Sequence, residues 1–369
     1  MIRIASFLSF FCLLTCCSAA QSNEPANDFT VIGYYAGGTA MIDSFEVEKL
    51  THLIFSFCHL KGDVLSVGNA RDSATIVRMV QLKKRNPRLK IMLSLGGWGG
   101  CKTCSSVFST KKGRRIFSKS VKKLDDYFGT DGIDLDWEYP VIEGFPGHAY
   151  GPEDKPDFTA LVQKLRKKLG KKKEISFAAG GFSTYIDSSV DWKKVMPLVD
   201  RINLMSYDLV SGFSTVSGHH TPLYSTPQQV QSVDNGVTKL LTAGVPPGKI
   251  AIGAAFYARI FEVADTLNNG LYRPAKFYHG LSFSRFADSI NIENGFMQYW
   301  DTVAMAPYAF NVQRKIIATY DDPKSIKLKT EYVIKHKLNG IMFWQLAEDS
   351  FNNGLLNVID KAKKEEADQ

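Results

Sequence analysis

Asp131-Gly132-Ile133-Asp134-Leu135-Asp136-Trp137-Glu138-Tyr139-Pro140 places four acids within eight positions of a stretch otherwise apolar enough to be a buried strand. Strand side chains alternate faces, so Asp134, Asp136 and Glu138 share one face while Ile133, Leu135 and Trp137 take the other. Successive acids on that face stand about 6.6 Å apart, twice the rise per residue. Three carboxylates so spaced in a low dielectric do not all stay ionised, and at least one holds a proton near neutral pH. The segment reads as a proton-transfer site on a buried strand. Asp131 falls off the inward alternation and is expected to fix the start of the strand.

Comparable β-branched or aromatic runs recur at 31–35, 52–57, 90–94, 174–179, 201–207, 249–257 and 340–344, giving eight strand candidates with 132–138. Helical patterns lie between them. Phe158, Leu161, Val162, Leu165 and Leu169 keep helical spacing and stop at Gly170. Val230, Val233, Val237 and Leu240 follow Thr226-Pro227 and stop at Gly244, and Ile326, Val333 and Ile334 follow Asp322-Pro323 and stop at Asn339-Gly340. Eight alternating units with nearly continuous apolar strands predict an α/β fold, a (β/α)8 TIM barrel with its site at the C-terminal strand ends. Glu138 lies at such an end. Residues 260–321 break the alternation, far exceeding the usual connection of about two to six residues, so a small inserted module is expected after the seventh strand. Its Tyr272, Tyr278, Phe296, Tyr299, Trp300, Tyr308 and Phe310 are expected to wall a groove.

Residues 1–20 carry a single charge, Arg3, then an apolar run over 4–14 and small residues Ser18-Ala19-Ala20 before polar Gln21. This predicts a signal peptide cleaved near Ala20, too short to span a membrane, and an exported chain, 21–369, forming one domain. A second reading of Leu13-Leu14-Thr15-Cys16-Cys17 is a lipoprotein box, with Cys16 or Cys17 as an acylated N-terminus. The formal charge of +8 gathers in runs such as Lys167-Lys168 and Lys171-Lys172-Lys173. These read as a solvated helix end with mild attraction to anionic surfaces. Nucleic-acid binding wants basic residues interleaved with aromatics, so no nucleic-acid partner and no integral membrane span are expected, and the chain is expected to be a monomer.

Cys101-Lys102-Thr103-Cys104 has zinc-ligand spacing but no second pair to complete four ligands, so in an exported chain a local disulfide is the favoured reading. Cys58, inside an apolar strand, reads as a buried free thiol. A calcium loop at the acidic strand is excluded, because Trp137-Glu138-Tyr139-Pro140 supplies neither the glycine nor the distant glutamate it needs.

Other strand ends add polar and aromatic groups. Ser94-Leu95-Gly96-Gly97-Trp98 follows the third strand, where the two glycines would let the backbone turn beside the barrel mouth. Met205-Ser206-Tyr207-Asp208 ends the sixth, Tyr257 and Arg259 close the seventh, and Trp344 closes the eighth. Taken together, these segments resemble the family-18 glycoside hydrolases, the chitinase family, over essentially all of 21–369. The DxxDxDxE pattern is complete at Asp131, Asp134, Asp136 and Glu138. The long connection is similar to the α+β insertion of the deep-grooved subfamily.

The resemblance implies a substrate of chitin or N-acetylglucosamine oligosaccharides and neither metal nor other cofactor. It implies Glu138 as general acid, Asp136 as the group that orients the substrate's 2-acetamido arm, and Asp134 as its proton-sharing support. Tyr207 would donate a hydrogen bond to the acetamido oxygen, Asp208 and Arg259 would hold the distorted sugar, and Trp344 would form the floor. Tyr34, Phe57 and Trp98 would stack on sugar faces, with Met205 and Tyr257 lining the site. Many relatives carry a tryptophan in the loop after the sixth strand, where this chain reads Leu209-Val210-Ser211-Gly212-Phe213. Asp136 sits two residues from Glu138 on one strand, badly placed to attack the opposite face of a sugar, so the resemblance implies substrate-assisted retention. Two other readings stand beside it: an enzyme of this family acting on N-glycan or peptidoglycan linkages, and a non-catalytic sugar-binding member, which typically lacks the acid that Glu138 supplies here.

Overall fold

Eight parallel strands close on one another in this computed structural model, which describes residues 29–367. They are β1 (Thr30–Tyr35), β2 (His52–Lys61), β3 (Lys90–Gly96), β4 (Gly132–Asp136), β5 (Glu174–Gly180), β6 (Arg201–Met205), β7 (Ile250–Ala255) and β8 (Gly340–Trp344). Each pairs with its neighbour, and β1 pairs with both β2 and β8, which completes a (β/α)8 barrel. The readings made on residues 1–20 fall outside the described residues. Among the described residues no helix is long and apolar enough to cross a membrane.

The two-residue alternation sorts the core into two layers. Ile32, Tyr34, Ile54, Met92, Met205, Ala251 and Met342 pack inside the barrel. Ile133, Leu135, Phe177 and Ile252 point outward into the layer shared with the helices. Trp137 joins that outer layer, buried against Phe108 and Phe158.

Local chemistry sets the helix ends. Asp154–Leu169 stops at Gly170, whose φ of 70° suits glycine. Pro323–Lys335 opens with a capping box between Asp322 and Ser325. The helix expected from Thr226-Pro227 begins later, over Val233–Thr242, because the side chain of Ser232 caps it by accepting from the Asn235 amide. Thr226 and Gln229 bridge to each other instead, and Val230 lies exposed before the helix.

β7 stops at Ala255, short of the expected 257. Tyr257–Val263 turns away to become the second strand of a five-stranded antiparallel sheet. Its neighbours are Ala275–Ser282 on one side and Ile316–Thr319 on the other, followed by Ala306–Asn311 and Met297–Asp301. Tyr257 and Arg259 therefore belong to this sheet and not to the barrel.

Candidate active site

Asp134 lies fully buried at the base of the barrel mouth, with both oxygens filled by neighbouring strands. Oδ2 accepts from the Tyr34 hydroxyl at 3.0 Å and Ser94 Oγ at 2.8 Å, and Oδ1 from Ser176 Oγ at 2.6 Å and Asn203 Nδ2 at 3.1 Å. Burial raises its pKa while these four donors work the other way. A carboxylate so surrounded is oriented as an acceptor.

Asp136, two residues on, is treated oppositely. It is 3% exposed, and its buried Oδ1 has no hydrogen-bond partner. Burial, with Glu138 and Asp134 as negative neighbours, pushes its pKa well above the ordinary carboxylate value. The hydrogen bond expected between Asp134 and Asp136 is not formed in this arrangement, because four other donors saturate Asp134. Glu138 lies just past the end of β4, in the groove. Its pKa rises to about 7, chiefly through burial; the Tyr139 hydroxyl opposes that rise and the Asp208 charge adds to it. A carboxyl poised there can give a proton and take it back at neutral pH.

The loops after β6 and β8 and the second sheet complete a groove of about 940 Å³. Tyr207 lines this space, with its hydroxyl 3.8 Å from the sulfur of Met342. Asp208 takes a left-handed φ of 54° that swings its carboxylate onto Arg259, with Nε to Oδ1 at 2.7 Å and Nη2 to Oδ2 at 2.5 Å. Although burial works against it, His220 at 3.6 Å and this bidentate pair hold Asp208 well below the usual carboxylate range. Tyr257 supports both, its ring against Tyr207 at 6.1 Å and under the guanidinium at 5.1 Å. Met205 and Trp344 line the same groove.

The two glycines after β3 are there because nothing larger fits. Gly96 has φ +111°, and an added Cβ would stand 2.0 Å from the Asp136 carbonyl oxygen. Gly97 has φ +78°, and its Cβ would stand 2.3 Å from the Phe57 ring. That close approach lets Phe57 stack on Trp344, with centroids 5.5 Å apart and planes at 12°. Trp98, 44% exposed, meets Tyr139, Phe145 and Phe213 at 6.4, 5.6 and 5.8 Å. The loop after β6 thus offers Phe213, 67% exposed, against Trp98. Asp131 stands at the opposite end of the barrel, where Oδ2 accepts from the Ile91 amide at 2.7 Å and pairs with Lys83 at 2.6 Å. Cys101 and Cys104 are disulfide-bonded, and Cys58 is a buried free thiol.

Two expectations need correction. Tyr34 was expected to stack on a sugar, but it is 1% exposed and absent from the groove wall; its ring is packed inside the barrel and its hydroxyl serves Asp134. The aromatics assigned to the groove wall do not line it. Phe296 fills one apolar layer of the second sheet, and Tyr308 and Phe310 fill another, because an antiparallel sheet covered on both faces needs its own cores. The sheet instead lends Phe277 and residues 280–282 to the groove.

Several groups at the site escaped the sequence reading. Ser94 and Ser176 were detectable as polar residues on inward positions of apolar strands. Glu348 had no such signal, since it ends a single 3-10 turn, Leu346–Glu348, after Trp344. It lines the groove with Oε2 unpartnered, and burial, tempered by Arg259 and reinforced by Asp208, raises its pKa to about 7. The groove therefore holds two carboxyls besides the acidic strand, Asp208 in an ion pair and Glu348 readily protonated.

Residues 30–349 match the family model described as glycosyl hydrolases family 18. The chain is 34% identical over 302 residues to chitinase A1 of Niallia circulans, covering 75% of this chain and 43% of that protein. It is 31% identical over 331 residues to chitotriosidase-1 of Mus musculus, covering 83% and 68%. Among solved structures, a family 18 N-acetylglucosaminidase from Paenibacillus barengoltzii superposes with a TM-score of 0.83 at 34% identity, covering 91% of this chain and 100% of that one. The chain thus spans less than half the length of the Niallia protein.

Proposed function

This chain is a member of glycosyl hydrolase family 18, and from its groove we propose that it is a chitinase, hydrolysing β-1,4-linked N-acetylglucosamine chains with retention at the anomeric carbon. The observation that carries the proposal is the pairing of Glu138, poised at about pH 7, with a buried Asp136 oxygen that has no partner. A buried polar atom left unsatisfied in a groove is suited to a ligand's complementary group.

In this reading Glu138 protonates the glycosidic oxygen as the bond to the leaving sugar breaks. The carbonyl oxygen of the 2-acetamido group attacks the anomeric carbon and closes an oxazolinium ring. Asp136, meeting the acetamido N–H, stabilises the developing positive charge, and Tyr207 directs its hydroxyl at the acetamido oxygen. Glu138, now a carboxylate, takes a proton from the water that opens the ring. Asp208 is a poor competing nucleophile because both its oxygens are engaged by Arg259, and the pKa of Glu348, raised to about 7, weakens it as a nucleophile by leaving it partly protonated at neutral pH. Trp344 and Phe57 form the apolar floor and side wall.

The likeness to an N-acetylglucosaminidase over its whole length favours a second reading, in which the preferred substrate is a shorter or branched N-acetylglucosamine linkage. Both readings are tested by hydrolysing N-acetylglucosamine oligomers, their fully deacetylated counterparts, an N-glycan chitobiose core and peptidoglycan, with anomers resolved before mutarotation. Acetylated oligomers should be cleaved to an initial β-anomer and deacetylated ones left intact. An initial α-anomer, or equal cleavage of both, overturns the substrate-assisted mechanism. Faster cleavage of the glycan core or peptidoglycan selects the second reading. Glu138→Gln should lose about two to four orders of magnitude in turnover while still binding substrate.

A further inference from the structure

The chain's positive charge is not spread over its surface. Residues 82–200 hold 23 Lys and Arg against 14 Asp and Glu, an excess of nine, whereas the excess for the whole chain is eight. Three of those acids, Asp134, Asp136 and Glu138, are buried in the barrel or its groove, so the outer surface of this segment is more basic still.

The fold gathers much of this charge at one end. The turns before β3, β4 and β5 open on the N-terminal end of the barrel, opposite the groove. Lys84 and Arg88 lie in the turn before β3 and Lys90 begins that strand. Lys168, Lys171 and Lys172 end the helix before β5 and the turn that follows. All six are exposed, and none has a carboxylate within ion-pair distance among the described residues. The nearby acids are already engaged: Asp131 by Lys83, Asp126 by Lys122 and Asp200 by Arg166. The turns are also tied together, since Lys83 bridges to the turn before β4 and Lys173 Nζ donates to the Thr130 carbonyl there. The six cations therefore belong to one rigid face.

Two further observations bear on what would cover that face. Tyr127, 78% exposed, projects from the end of the helix Lys111–Phe128 beside the same turns. An exposed tyrosine among lysines suits the boundary between lipid headgroups and acyl chains, where one end of the ring is wet and the other apolar. The chain also enters β1 at this end. The Thr51 amide donates to Val31 and the Lys90 amide to Thr51, so the starts of β1, β2 and β3 adjoin. β1 therefore begins beside the basic face, and an acyl chain on Cys16 or Cys17 would hold a membrane only marginally without a second signal such as a polybasic patch.

We propose that this N-terminal barrel face docks on a bilayer rich in anionic phospholipid, leaving the groove turned away from the membrane. The test is co-sedimentation of the full chain with phosphatidylcholine vesicles, with and without phosphatidylglycerol. The wild type is compared with K84E/R88E/K168E/K171E and with Tyr127→Ser, all carrying the same N-terminal segment. Wild type should bind the anionic vesicles at least about tenfold better than the neutral ones, with affinity falling steeply as salt is raised. The quadruple variant should lose that preference and still cleave soluble oligomers at the wild-type rate, which also shows that it is folded. Tyr127→Ser should weaken binding severalfold without changing the salt slope. Equal binding of wild type and quadruple variant to anionic vesicles overturns the proposal. So does tighter binding to a soluble polyanion such as heparin than to vesicles, which would assign the face to an anionic polymer.

Discussion

Asp208→Asn and Arg259→Met should move the alkaline limb of the pH–activity profile in opposite directions. Glu138 must carry a proton to act as an acid, so kcat/KM falls as pH rises through its pKa of about 7. The negative charge of Asp208 helps raise that pKa, and Arg259 neutralises most of the charge through two hydrogen bonds. Replacing Asp208 by Asn removes the anion and leaves the guanidinium uncompensated. Both changes favour ionised Glu138, and the limb moves acidward. Replacing Arg259 by Met leaves the anion alone, and the limb moves toward higher pH. Two unit charges about 8 Å apart at an effective dielectric of about 20 interact by about 2 kcal/mol, or about 1.5 pH units. Asp208 is 33% exposed, so solvent screening cuts this to about half a unit to one unit. Glu348 feels the same two charges in the same sense and sharpens the effect. The assay is kcat/KM for an N-acetylglucosamine oligomer across the neutral range, with Asp208→Ala as a second route to the first variant. Loss of a sugar contact lowers the height of the profile but not the position of its limb. Limbs that stay in place, or that shift together, refute the electrostatic account of Glu138.

Two other outcomes rest on packing. Lys329 and Asp321 form a fully buried ion pair at 2.6 Å that also engages Thr221 and the Ala255 amide, joining β7 to the end of the second sheet. Lys329→Met should cost about 3–5 kcal/mol by leaving a buried carboxylate unpaired, measured by urea unfolding; adding Asp321→Asn should recover part of the loss. Gly97→Ala should lower kcat/KM by about tenfold or more, equivalent to about 1.4 kcal/mol, because its Cβ would push Phe57 off Trp344; unchanged kinetics would show the stack is dispensable.

The alternation of Asp134, Asp136 and Glu138 against Ile133, Leu135 and Trp137 was legible because strand periodicity is local, two residues per repeat, whatever surrounds it. The eight-unit order was legible for the same reason, from runs of apolar residues punctuated by helical spacing and glycine stops. Local patterning did not show where strands end. β7 breaks at Ala255 and releases Tyr257 and Arg259 into a second sheet, although the apolar run continues without interruption.

What the amino-acid order determined alone was the fold class, the acidic strand and the family it resembles. What only the tertiary structure decided was the division of labour among chemically identical carboxyls. Asp134 is saturated because barrel closure brings Tyr34, Ser94, Ser176 and Asn203 from four other strands onto it. Asp136 is left bare, Asp208 is neutralised by a residue 51 positions away, and Glu348 enters the groove from a short 3-10 helix after β8. Protonation depends on burial and on charges within a few ångströms, and those neighbours are set by contacts between residues far apart in the chain.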